Sequence, residues 1–175
     1  MKKLPLTARQ ALYLLLALIA LALIVFVKKA VFFIVLFGIG LATNFFLHKS
    51  KLPINLTITF FLSIFILHFY GPLAFFIFFL STEILTRPFT GLPLPGAAYP
   101  GYIVWLALAF LSLGFTDKLV MVGVIMTVIR YFFLSFFHVL GGSTFVEALF
   151  RNSAQLILNT LLFLYVLPVM LSVVQ

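Results

Sequence analysis

Long apolar runs separated by short polar breaks account for almost the whole of this chain. The runs cover Ala11 to Val27, Ala30 to Leu47, Ile54 to Tyr70, Leu73 to Thr86, Gly101 to Phe115 and Leu119 to Leu140; a last one starts near Thr144 and reaches Val173. The breaks are Lys28-Lys29, His48-Lys49-Ser50-Lys51 with Pro53, Gly71-Pro72, Arg87 to Pro100, Asp117-Lys118 and Gly141-Gly142-Ser143. A helix needs about 20 residues to cross the hydrocarbon of a bilayer, and lipid tolerates only elements whose backbone bonds close internally. The pattern predicts an all-α, polytopic transmembrane helical bundle of six to seven helices, in a single domain over residues 1–175.

Individual breaks carry finer expectations. Gly71-Pro72 is either a tight hairpin or a kink in one long helix, since proline lacks a backbone donor and glycine permits the turn. Arg87 to Pro100 holds Pro88, Pro93, Pro95 and Pro100 with Gly91 and Gly96, a composition that predicts no helix. Gly38 and Ala42 form a small-xxx-small pair that lets another helix come close, with packing inside the monomer the simpler reading. Ser143 or Thr144 can cap the final helix, and Glu147 suits the positive end of its dipole. The basic head Met1 to Gln10, with Lys2, Lys3 and Arg9, predicts a retained first helix in the cell membrane and a cytoplasmic N-terminus.

Composition confirms the class and excludes several functions. Hydrophobic residues make up 65% of the chain and charged residues 8%, with a mean hydropathy of +1.33. A soluble domain carries roughly a quarter charged residues, so the expected surroundings are a lipid bilayer. The 11 Lys+Arg against 3 Asp+Glu give a net charge of +8. The lysines sit in ones and twos at run ends, where topology and headgroup anchoring put them. No basic stripe with interleaved aromatics points to nucleic acid. Without cysteine there is no thiolate site, and no HExxH, GxSxG or paired intramembrane aspartates appear. The expectation is a protein that is not an enzyme, with no catalytic residue, metal or cofactor.

Ionisable groups inside hydrocarbon cost about 2.5 to 3.5 kcal/mol each, so the few within the runs are the informative residues. Glu83 and Arg87 lie one turn apart on one helix face, and Glu147 and Arg151 repeat that spacing. Thr127, Arg130, Leu134 and His138 share a face, as do Ala148, Asn152, Gln155 and Asn159. Arg130 has no acid within a turn of it, while His68 and His138 read as hydrogen-bonded interface residues. The functional reading is a partly wet pocket between the later helices. In it Glu83, Arg87, Arg130, His138, Glu147, Arg151, Asn152, Gln155 and Asn159 contact a small polar or anionic solute. Arginine forks and amides suit carboxylate, phosphate or heterocycle edges. The alternative is that the acid-base pairs neutralise themselves and the amides join helices.

Three features together resemble a known family. Gly71-Pro72 opens a helix, Glu83 stands near that helix's end before a Gly/Pro-rich loop, and a late helix carries Asn152, Gln155 and Asn159 into LLFLYVLP. This layout resembles the substrate-binding (S) component of energy-coupling factor vitamin transporters, or the related rod-shape protein MreD. The first resemblance implies the capture subunit of a transporter, with the Arg87 to Pro100 loop gating a site formed by Arg130, Arg151, Asn152, Gln155 and Asn159. It also implies a membrane coupling protein with ATPase subunits as partner. The second implies a non-transporting scaffold that recruits other membrane proteins, and a structural subunit of a larger complex is a third reading. A capture subunit predicts a closed cavity lined by these side chains; a scaffold predicts them paired with one another and no cavity.

Overall fold

The computed structural model describes residues 8–50, 56–91 and 99–174, and these are helical with no strand among them. The chain divides into two compact units, residues 1–35 and 36–175. The first holds the beginning of α1, which runs Ala8–Ser50. Lys28 and Lys29 lie inside that helix, so the break expected between the first two runs is not a turn. Lysine is a good helix former, and the segment around it offers no glycine, proline or cap to stop a helix.

The second unit holds the rest of α1, then α2 (Thr59–Phe79), a π-helical stretch (Leu80–Leu85), α3 (Thr86–Phe89) and α4 (Tyr99–Ser112). A 3₁₀ stretch (Leu113–Lys118), α5 (Leu119–Leu140), α6 (Phe145–Leu161), a second π-helical stretch (Leu162–Val166) and α7 (Leu167–Val174) complete it. Among the described residues four stretches are long and apolar enough to cross a membrane: Val27–Ser50, Thr59–Phe89, Tyr99–Leu140 and Phe145–Val173. The structure thus has four helical stretches where the pattern predicts six to seven helices.

Two of these stretches fold back on themselves. Gly71 has φ 84° and ψ 177°, a conformation that glycine alone adopts readily. Thr59 and Glu83 would stand about 36 Å apart along a straight helix, yet the Thr59 hydroxyl donates to the Glu83 carboxylate at 2.8 Å. Gly71-Pro72 is therefore a hairpin, not a kink, and Pro72 opens the returning leg where its missing N–H costs nothing. In Tyr99–Leu140 the reversal falls in the 3₁₀ stretch, where Phe115 leaves helical geometry. Beyond it, the Leu134 side chain of α5 packs against Gly101 of α4. A third turn at Gly141 and Gly142, the latter with φ 96°, lays α6 against α5.

Prolines bend this chain less than their reputation suggests. Pro88 lies within α3 and Pro168 within α7, so the connector expected from Arg87 is helical up to Phe89. A proline ring clashes with the carbonyl four residues earlier, here that of Ile84 or Leu164. Each of those residues falls in a π-helical stretch, whose wider turn relieves the clash. Residues 92–98 of the connector lie outside the described residues.

The leg 59–70 is the centre of the unit. Every residue from Thr59 to Leu67 is buried. Phe60 meets Trp105 of α4, Phe61 meets Phe163 of the second π-helical stretch, and Trp105 Nε1 donates to Ser63 Oγ at 2.8 Å. Gly123 of α5 admits the ring of Phe163, which occupies the place of a Cβ. On α1 the tight approach is at Gly40, where Phe78 would stand 2.6 Å from an added Cβ. Gly38 and Ala42 are exposed instead, and nothing approaches Gly38, which corrects the expectation that this pair packs inside the monomer.

Gly71→Ala should lower the stability of the purified protein by about 1–3 kcal/mol from backbone strain alone, since nothing crowds the position. Gly38→Ala, in an ordinary helical conformation, should leave it unchanged or raise it slightly. Thermal unfolding of the two variants side by side checks this; equal behaviour would mean that Gly71 carries no strain.

Candidate functional site

Two groups of buried polar side chains surround the leg 59–70. The first is a junction at Glu83, which is 6% exposed. Its Oε1 accepts from Asn44 Nδ2 of α1 at 2.6 Å and from Thr59 Oγ1 at 2.8 Å, and Asn44 Nδ2 also donates to the Thr82 carbonyl at 2.9 Å. One carboxylate thus ties α1 to the start of α2 and to the π-helical stretch. Arg87 Nε donates to the Glu83 backbone carbonyl and to Tyr102 Oη at 2.8 Å, rather than to the carboxylate. This junction holds helices together, although Asn44 Oδ1 is buried in it without a hydrogen-bond partner.

The second group lies where α5, α6 and the leg meet. Asn159 donates from Nδ2 to the Thr57 and Gln155 carbonyls, each at 2.9 Å, while its Oδ1 accepts from the Phe61 backbone N–H at 3.2 Å. That N–H belongs to the first turn of α2, which has no side-chain cap of its own, so Asn159 caps it from another helix. Gln155 Nε2 donates to Thr57 Oγ1 at 2.6 Å and Asn152 Nδ2 to Ser135 Oγ at 3.2 Å.

Arg130 is different. It is 7% exposed, and its guanidinium lies over the rings of Trp105 at 4.5 Å and Phe60 at 4.8 Å. Its Nε is buried without a hydrogen-bond partner, and so is Asn152 Oδ1. Both residues line one small void with Thr127, Tyr131, Gln155 and Leu156. About 10 Å³ is open there to the centre of a water-sized sphere, at the lower edge of what one water requires. Solute pockets hold roughly 300–1,000 Å³, so the void as it stands has room for a group no larger than water.

No acid forms a hydrogen bond to this cation among the described residues. The chain's three acids are Glu83, Asp117 and Glu147. Asp117 and Glu147 are exposed, and Glu83 Oε1 accepts from Asn44 and Thr59.

Of the nine residues expected in the site, the structure gathers Arg130, Asn152 and Gln155 at the void and Asn159 beside it. Glu83 and Arg87 form the junction described above. Glu147 is exposed and completes a capping box with Thr144, its backbone N–H donating to Thr144 Oγ1 at 3.3 Å, as the sequence suggested for that helix start. Arg151 is exposed and His138 half-buried on α5; neither lines the void. His68 has Nδ1 2.9 Å from the Ile64 carbonyl and Nε2 3.3 Å from that of Ser112, an interface position. Sequence reasoning passed over Asn44, Thr57, Trp105 and Ser135. Asn44 carried a usable signal, a lone amide inside an apolar run, and Trp105 is the chain's one tryptophan.

A wider groove of about 450 Å³ lies between α5 and the end of the chain, lined by residues that include Lys118, Met121, Ile125, Leu164 and Leu171. It is open and mostly apolar, as a lipid-facing surface is. Comparison with protein-family models, with curated proteins and with solved structures finds no match to this chain.

Asn159→Leu should cost about 1–3 kcal/mol by leaving the Phe61 N–H and the Thr57 carbonyl unpaired. Exposed Arg151→Ala should change stability by no more than about 0.5 kcal/mol. Thermal unfolding in detergent decides, and an Asn159→Leu protein as stable as wild type would mean that water reaches these groups.

Proposed function

We propose that the protein captures a small polar or anionic solute at Arg130, as the binding subunit of a membrane transporter. One observation carries the reading: a buried guanidinium with an unbonded Nε, on a residue that lines one small void together with Asn152, whose amide oxygen is also unbonded. Cation-π contact contributes about 2 kcal/mol when desolvated but satisfies no N–H group. Leaving a buried charge incompletely paired costs several kcal/mol, and an incoming solute with an acceptor offsets that cost. The void is far smaller than a solute, so binding involves widening of the seam between α5 and α6 that lines it. The reversals within Thr59–Phe89 and Tyr99–Leu140 turn the four stretches into six legs, which accords with the lower count expected from the sequence. The cytoplasmic N-terminus, the gating role of the connector and a coupling partner with ATPase subunits belong to the same proposal.

A second reading, a non-transporting scaffold of the MreD kind, has its own support. Asn152, Gln155 and Asn159 all bond within the protein, as interhelical joints do.

The two separate on Arg130→Met. A solute site predicts that this apolar replacement leaves stability unchanged or raises it by about 1–4 kcal/mol, as loss of a poorly paired buried charge does. It also predicts that the variant loses solute binding. A solute at 100 times its dissociation constant should stabilise wild type by about 2.7 kcal/mol, visible in a thermal-shift screen of vitamins, nucleobases, amino acids and small anions. A destabilised Arg130→Met protein, with no solute effect in folded wild type, would favour the scaffold.

A further inference from the structure

The residues at the void carry two unmet hydrogen-bonding demands of opposite kind. Arg130 Nε needs an acceptor and Asn152 Oδ1 needs a donor. The two residues are contributed by neighbouring helices, α5 and α6, and line the same small void. Asn152 is fully buried and its Nδ2 is committed to Ser135 Oγ. The amide oxygen is therefore the part that a ligand meets. The rings of Phe60 and Trp105 lie against the guanidinium but satisfy none of its N–H groups, which pair well with a planar carboxylate.

Charge points the same way. Arg87 and Arg130 are half-buried and buried, and Glu83 is the one buried acid of the chain. A single negative charge delivered to Arg130 brings this set to neutrality.

Resting on the solute-capture reading, we propose that the ligand is a small carboxylate bearing a neighbouring O–H donor, an α-hydroxy acid in chemical class. Its carboxylate accepts from Arg130 and its donor meets Asn152 Oδ1. A bare halide or a simple carboxylate satisfies only the first demand. A single water satisfies both but leaves the charge unbalanced.

The test is titration of the purified full-length protein with glycolate and lactate against acetate and chloride, followed by calorimetry and thermal shift. A net hydrogen bond of about 1.4 kcal/mol is a tenfold change, so glycolate or lactate should bind about tenfold tighter than acetate. Arg130→Met should abolish binding. Asn152→Asp, which sets a second anion against the ligand, should weaken glycolate at least tenfold while the thermal transition shows the variant folded. If Asn152→Asp does not fold, the glycolate-to-acetate ratio in wild type still decides. Equal affinity for acetate and glycolate would overturn the donor assignment, and no response to any acid would leave a bound water only. Stabilisation by neutral solutes alone would overturn this inference while the capture reading stands; silence across the wider screen would remove both.

Discussion

A helix that begins inside a protein brings four N–H groups that nothing in its own backbone can satisfy, and hydrocarbon offers no water to replace the missing acceptors. The leg starting at Thr59 is in that position. Its first turns are buried, and Ile58 at its N-cap supplies no side-chain acceptor. The rest of the second unit is arranged to meet the need. Asn159 reaches across from α6 to the Phe61 N–H, Gln155 holds the preceding Thr57 by its hydroxyl, and Thr59 turns its own hydroxyl to Glu83. The amides at 155 and 159 on one helix face follow from that requirement, since the i, i+4 spacing lets two side chains grip one segment. Gly71 makes the arrangement possible. A leg of about 18 Å returns on itself at this residue, so its far end stays in contact with the Glu83 junction.

Against that background Arg130 is an exception to the chain's own practice. The other buried polar groups around the leg are mostly joined to backbone or to one another, while this guanidinium rests on two aromatic faces. Ring contact stabilises a cation by less than the desolvation of a charge costs, so the difference is a debt within the fold. A core built for stability alone could place methionine or leucine there. The Glu83 carboxylate is not free to discharge it, because Asn44 and Thr59 already hold its Oε1 and with it the junction of α1 and α2. Moving that carboxylate towards Arg130 would strand two donors to satisfy one.

The class of the fold was legible from apolar runs, because the cost of exposed backbone in lipid leaves few alternatives. The division into helices was less so. Lys28-Lys29 looked like a turn because charge marks run ends, yet lysine has no backbone preference against helix and the chain continues through it. Pro88 looked like a stop, and a π-helical turn before it accommodates it, as another does before Pro168 in a run that was expected to continue. Gly71-Pro72 could be narrowed to two conformations but not chosen between, since the choice depends on where Glu83 meets Thr59. Which apolar residues face the interior was not legible at all. FFLSIFIL at 60–67 and the exposed Phe132, Phe133 and Phe136 have the same chemistry, and in a bilayer both the interior and the surroundings are hydrocarbon. Small residues fail for the same reason: Gly38 satisfied the motif, but the close contact falls at Gly40.

Polar residues were the better guide, because each costs energy wherever it is buried and must have a reason to be there. Spacing along α6 put Asn152, Gln155 and Asn159 on one face, and the lack of a nearby acid singled out Arg130; the structure brings these four to one place. The same argument misplaced Glu147 and Arg151. Helical spacing gives the face relative to neighbours but not its direction, and Glu147 at the first turn is claimed by Thr144 before any interior can claim it. Asn44 at the junction and Asn152 at the void each keep an unmatched amide oxygen, and what sets the void apart is the unmatched donor of a charged group beside one of them. Asn159 spends both its donors and its acceptor inside the chain, and Asn152 spends a donor and keeps its acceptor. Arg130 keeps its Nε, so an unmatched donor and an unmatched acceptor belong to two residues that line one void, and the proposal of a solute site rests on that pairing.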